Sequence, residues 1–336
     1  MLTVPLTKLE KEYPYLPYYL DDFDVTWQKD KSFSENLKDL PDSFFEQRKM
    51  SRKEVEDEFT TYLRSAAACL SEEISSVGSI TILPGRGKDG TKESFLPLTI
   101  RKGQMVAIVG ETGSGKSRLL EDIEWQAQED TPTMRTILID GKNKTEYREQ
   151  GGRRKSIAQL SQNMNFVLDM NVEEFLTLHA ECFVSKNEIP ERVEKVYRLA
   201  VSLAGEPFTI DTAVTSLSGG QSRALMIADC AVLSRAPIVL IDEIENAGIN
   251  RRKAMELLLG NDKIVLIATH DPILSLMAET RIVIRKGRID KIIRRSEEEL
   301  FALSRAEAMD SQLLDLRNQI RRGEIIHNTL HKTPTV

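Results

Sequence analysis

The sequence predicts an α/β domain built around a largely parallel sheet, running from about residue 77 to 295. Three observations predict it. Apolar runs such as "MVAIV", "PIVLI" and "KIVLIA" have the length and character of strands buried on both faces. The last two are each entered from a segment with helical spacing of apolar residues. The first runs into a glycine-rich turn that opens directly into a helical pattern, "SRLLEDIEWQAQ".

Residues 1–76 form an N-terminal extension of different character. The stretch "YPYLPYYLDDFDVTW" holds four of the seven tyrosines, a tryptophan and three aspartates, and its prolines argue against a regular helix. Two roles are open for it: docking a partner through its aromatics, or packing on the α/β domain. From Ser51, "SRKEVEDEFTTYLRSAAACLSEEI" predicts one helix opened by a capping box of Ser51 and Glu54. "SITIL" alternates as a strand, "TIRKGQMVAIVG" is a turn and a buried strand, and "RTILIDG" and "SIAQLSQ" are further strands. Helices are expected from Val172 to about Leu203, within a helical subdomain at about 163–216. Residues 296–336 form a charged tail, helical from Ser296 to Arg322. The basic stretch "RIVIRKGRIDKIIRR" reads as a closing hairpin with charges on its exposed face, with contact to DNA or membrane as the alternative.

Composition excludes several classes. A net charge of −6 gives no reason to expect nucleic acid as a partner. Cys69, Cys182 and Cys230 have no metal-ligand spacing and read as buried thiols of a reducing, cytoplasmic compartment. No secretory leader is visible at "MLTVPLTKLEKEYP", and no apolar run approaches the ~18 residues of a membrane helix. Association with a membrane would therefore go through a partner.

The chemistry concentrates in four places. "GETGSGKS" follows a buried strand and precedes a helix, the context that confirms a P-loop. Backbone N–H groups of Gly110, Glu111, Thr112, Gly113, Ser114 and Gly115, with the helix start at Lys116, Ser117 and Arg118, are placed to cradle phosphate. Lys116 is expected to reach the β- and γ-phosphates and the Ser117 hydroxyl to ligate Mg²⁺. "GRGKDG" at 85–90 imitates a dinucleotide fingerprint, but no helix opens after it, so it reads as a glycine-rich hairpin. "VLIDE" sets Asp242 and Glu243 at a strand end, the first to hold Mg²⁺ through its water shell, the second to activate water. "ATHD" ends the next strand with His270, a donor for the γ-phosphate. "LSGGQ" places Ser218, Gly219, Gly220 and Gln221 at a second helix start able to hold an anion.

The ordered set GETGSGKS, Gln162 in "QLSQNMNF", LSGGQ, VLIDE and ATHD resembles the ATP-binding cassette (ABC) ATPases over roughly residues 77–295. The resemblance implies a P-loop NTPase core of RecA-like fold with a helical subdomain. It implies that two such domains pack head to tail, each ATP held between one P-loop and the opposite LSGGQ. It assigns Gln162 to the γ-phosphate and magnesium surroundings and to coupling with a partner. It makes Glu243 the base, His270 the switch, and Ser218 and Gly220 contacts to the opposite nucleotide. A homodimer is the simplest assembly. The chain departs from the family in lacking an adenine-stacking tyrosine after the first strand, where Phe95 is the nearest ring. It departs again after Glu243, where "IENAGIN" offers Asn250 in place of an aspartate.

Three functions are consistent with these features. One is a soluble ABC ATPase driving conformational change in a partner. Another is the ATPase subunit of a membrane transporter, coupled to a permease. The third is an SMC-like DNA-maintenance ATPase, which predicts long heptad arms between P-loop and LSGGQ. That interval is too short for them.

Overall fold

The computed structural model describes all residues except 1, 14–15, 22, 24, 49, 72–76, 150–155, 162–165, 185, 244–248 and 327–336. The chain divides into two compact units, 1–75 and 76–336.

The first unit is helical: α1 Leu6–Glu12, α2 Leu16–Asp21, α3 Phe33–Asp39, α4 Asp42–Arg48 and α5 Arg52–Ser71. The capping box foreseen at Ser51 is present, with Ser51 N donating to Glu54 Oε2 at 2.6 Å. The expectation that prolines prevent a helix at 13–27 is wrong for α2. Pro17 sits in its first turn, where a missing N–H leaves no bond unmade. Tyr13, Leu16, Leu20 and Phe23 are buried in this unit's own core, with Phe33, Phe59 and Leu63. The Phe33 and Phe59 rings stack with centroids 3.7 Å apart. Buried Asn36 fastens the connecting loop by accepting from Gln28 N and donating to Gln28 O.

The second unit carries the sheets. In chain order it runs β1 Ser79–Leu83, β2 Leu98–Arg101, β3 Met105–Val109, α6 Lys116–Glu124, β4 Thr136–Ile139, α7 Lys144–Glu149 and β5 Ile157–Leu160. There follow α8 Val172–Glu181, α9 Ile189–Leu203, α10 Gly219–Val232, β6 Ile238–Asp242, α11 Arg251–Leu259, β7 Ile264–Ala268 and α12 Pro272–Met277. The unit closes with β8 Thr280–Arg285, β9 Arg288–Arg294 and α13 Glu297–Arg321. The main sheet has the order β5-β6-β7-β3-β8-β9, parallel except for the closing β8–β9 hairpin. The foreseen strand "RTILIDG" is real, but it joins β1 and β2 in a separate antiparallel sheet, order β2-β1-β4.

Alternate residues of the central strands feed two different cores, which is why those strands are apolar throughout. Ala107, Val239, Ile241, Val265 and Ile267 face a layer of helices that includes α8, α9 and α10. Val106, Ile108, Leu240, Ile264 and Leu266 face α6 and the antiparallel sheet. Each fully buried aliphatic side chain contributes about 1.5–3 kcal/mol, so this double-sided core holds the strand ends that carry the site.

Candidate functional site

The P-loop joins β3 to α6. Its shape needs glycine at two points in particular. Gly110 has φ +155°, and a Cβ there would lie 2.4 Å from the Ile284 carbonyl oxygen. Gly115 caps α6 in the left-handed region, φ +110°, with the Gly287 backbone 3.0 Å from where its Cβ would be. The loop is also held from behind. Gly287 N donates to Ser114 O at 2.7 Å, and Lys88 Nζ donates to Gly113 O at 3.2 Å. The Ser114 hydroxyl is buried and has no hydrogen-bond partner among the described residues. A buried orphan of that kind in a phosphate-binding loop fits a ligand oxygen.

Lys116 is buried, with 6% of its surface exposed. Its ammonium donates to Gly110 O at 3.1 Å and Glu111 O at 3.3 Å, and lies 2.8 Å from His270 Nε2. His270 Nε2 is in turn 3.7 Å from Glu243 Oε1. The topology explains the meeting. In the order β6-β7-β3, all parallel, the carboxyl ends of three neighbouring strands carry Asp242 and Glu243, His270, and the P-loop. Asp242 pairs with Ala268 in the ladder, and Glu243 N donates to Ala268 O at 3.0 Å. Glu243 stands at φ +49°, in the left-handed region that a glutamate seldom adopts. Ser117 is exposed on the first turn of α6, and Arg118 holds Glu121 at 2.9 Å.

The second cradle belongs to the helical layer. Ser218 is the N-cap of α10, and Gly219 and Gly220 lie inside its first turn rather than before it. Ser218 N donates to Gln221 Oε1 at 2.9 Å and Gln221 N donates to Ser218 Oγ at 3.3 Å, a complete capping box. Gln221 Nε2 reaches back to Pro207 O at 3.2 Å, so this helix start is fastened to the loop after α9. The structure therefore brings Lys116, His270 and Glu243 together and sets Ser218–Gln221 on a different element. Gln162 and the segment after Glu243 lie outside the described residues. Asn250 caps α11, accepting from Lys253 N at 3.0 Å.

Sequence reading missed the residues that support the loop. Arg135, fully buried, binds Glu93 Oε1 at 2.6 Å, Asp122 Oδ2 at 2.9 Å and Gly287 O at 3.0 Å. It ties together the "GRGKDG" hairpin, α6 and the β8–β9 turn. That hairpin is confirmed by the Arg86–Lys92 bridge, with no helix after it. No local signal marks Arg135, because its partners are far away in the chain. Phe95, the ring nearest the first strand, packs against the core beside α6. Of the cysteines, Cys230 is buried, and desolvation pushes its thiol up to about 12. Cys182, the C-cap residue of α8, is exposed, contrary to expectation, and the Cys69 side chain lies outside what is described.

Among the described residues no group of three or more His, Cys, Asp or Glu side chains is placed to hold a metal. The donors expected for magnesium are both among the described residues: the Ser117 hydroxyl on the first turn of α6 and the Asp242 carboxylate at the end of β6. Such a set fits magnesium, which keeps several waters and takes phosphate oxygens.

A family model described as ABC transporter matches residues 95–246. An uncharacterized ABC transporter ATP-binding protein of Methanocaldococcus jannaschii is 50% identical over 249 residues, 74% of this chain and 94% of that protein. The thiamine import ATP-binding protein ThiQ of Haemophilus influenzae is 28% identical over 191 residues, 55% of this chain and 84% of that one. The macrolide export ATP-binding/permease protein MacB of Campylobacter jejuni is 30% identical over 200 residues, 57% of this chain and 30% of its own length. Among solved structures, CbiO1 of Clostridium perfringens superposes with a TM-score of 0.51 at 22% identity, over 73% of this chain and 99% of that one. It shows the same fold.

Proposed function

As a member of the ABC transporter ATP-binding family the chain binds and hydrolyses ATP, and we propose that it does so as a head-to-tail homodimer that drives conformational change in a partner protein. The observation that carries the catalytic assignment is the line Lys116–His270–Glu243 at one edge of the parallel sheet. The P-loop amides and Lys116 bind the β- and γ-phosphates. His270, whose Nε2 faces both Lys116 and Glu243, hydrogen-bonds the γ-phosphate. Glu243 orients the attacking water and takes its proton. Ser117 and Asp242 hold magnesium, which when bound neutralises charge on the phosphate oxygens. Ser218, Gly219, Gly220 and Gln221 close on the nucleotide of the other copy, with the α10 helix start facing the phosphates. Gln162 keeps the γ-phosphate role that the family resemblance implies.

The test is Glu243→Gln. ATP binding should persist while turnover falls ~10²–10⁴-fold, the usual contribution of a general base. Unchanged ATPase activity would remove Glu243 from the mechanism.

A second reading makes the partner a membrane permease, and the names of ThiQ and MacB favour it. Among the described residues no helix is long and apolar enough to cross a membrane. Capture with the ATP-trapped Glu243→Gln protein in mild detergent decides between them. A polytopic protein supports the permease, and soluble proteins alone support the remodelling ATPase.

A further inference from the structure

Helix α13 is 25 residues long, yet none of its residues is buried within the described chain. Helices in proteins draw most of their stability from packing an apolar face, and this one has such a face left over. Its root is fastened to its own domain by ion pairs. Arg281 pairs with Glu299, Arg252 Nη1 with Glu307 Oε1 at 2.6 Å, and Arg251 Nη2 with Asp310 Oδ2 at 2.6 Å. Beside that root Met309 is 57% exposed, and beyond it Leu313 and Ile320 are 52% and 59% exposed.

Six of its apolar residues follow a 3–4 spacing, while Leu300, Phe301, Leu303 and Leu314 lie off it. Ala302, Ala306, Met309, Leu313, Leu316 and Ile320 fill six successive a and d positions of a heptad repeat, with Ala306, Leu313 and Ile320 at a. That period makes a narrow seam for another helix of the same repeat, rather than the broad stripe that packs on a globular core. The flanking charges suit a second copy in parallel. Arg305 occupies a g position and Asp310 the following e position, so each Arg305 meets the other copy's Asp310, whose side chain is still 42% exposed. The next such pair, Gln312 and Arg317, carries no repulsion. The polar positions do not form a basic face: the helix opens with Glu297, Glu298 and Glu299 and includes Glu307, Asp310 and Asp315, which disfavours an anionic membrane.

We propose that α13 is a self-association surface, pairing with α13 of a second copy as a short parallel coiled coil without any need for nucleotide. It is independent of the ATP-closed dimer and keeps two copies together while the P-loop and LSGGQ are apart.

The experiment uses the full chain without nucleotide. Leu313→Cys in a Cys182→Ser background should oxidise to a covalent dimer, because position 313 faces itself in a parallel pair. Asp315→Cys, off the seam, should not. Sedimentation should show a concentration-dependent dimer that the double change Leu316→Asp and Ile320→Asp abolishes. The thermal unfolding of the ATPase unit should be unchanged, since neither side chain is buried. A nucleotide-free monomer with no cross-link at position 313 overturns the proposal, as does a double variant that still dimerises. Binding of monomeric chain to phosphatidylcholine vesicles, lost in the same double variant, overturns it in favour of a lipid surface. Ser218→Arg acts on the ATP-closed dimer alone, so failure of one interface is read separately from failure of the other.

Discussion

Glu243 stands at φ +49°, and holding a non-glycine residue there costs about 1–3 kcal/mol. Strain kept at the carboxylate that faces His270 suggests a position held for chemistry. Glu243→Gly should therefore abolish turnover while leaving thermal stability equal or higher, read by calorimetry beside an ATPase assay. A clear loss of stability would make the backbone there structural. Thiol chemistry separates the two described cysteines in the same way. Cys182 is exposed, while burial raises Cys230 to about 12. Only the thiolate is the nucleophile, so mass-mapped alkylation of the native protein near neutral pH should modify Cys182 and spare Cys230. Equal labelling would contradict the burial. Of the site itself, Lys116, Asp242, Glu243 and His270 were legible because each follows a buried strand in a recognisable local motif. The positive φ of Glu243 was not legible, since neither its own residue type nor its neighbours in the chain call for one.

The elements that support the site were the least visible part. The rear brace of the P-loop runs through Arg135, Glu93, Asp122 and Gly287, which come from four separate elements. Removing one partner of a buried ion network leaves the others unpaired and costs about 3–5 kcal/mol. Arg135→Met should lower stability on that scale in denaturant titration, and a change within a few tenths of a kcal/mol would show the brace to be dispensable. The second cradle has its own element-scale test. Ser218→Arg places bulk and charge at the start of α10, so it should block ATP-dependent dimerisation while leaving nucleotide binding to the monomer intact. Persistence of that dimer in light scattering would mean that the two cradles do not meet. Helices α8, α9 and α13 and the strands were foreseen from the spacing of their apolar residues, and α5 from that spacing and its capping box. The antiparallel partnership of β4 with β1 was not, because a strand's own residues do not name its neighbour.

Across the whole chain the two units have separate cores. The first core draws on residues from Leu2 to Leu63, the other two on residues from Val77 and from Met105 onward, and the units divide at 75/76. Residues 76–336 alone should therefore keep ATPase activity within a few-fold of the full chain, with any contribution of residues 1–75 appearing in partner capture. Loss of folding in the shorter chain, seen by circular dichroism, would show that the cores depend on each other.

The amino-acid order carried the fold class, the P-loop, the LSGGQ turn and the strand-end acids, because each depends on contacts within a few residues: glycine freedom, a cap, a buried run. The three-dimensional structure decided what depends on distant contacts. It set β7 between β6 and β3 so that Lys116, His270 and Glu243 converge, buried Arg135 behind the loop, and turned the N-terminal aromatics inward on a core of their own. It also left α13 unburied, since only the packed molecule shows which apolar faces its own chain has covered.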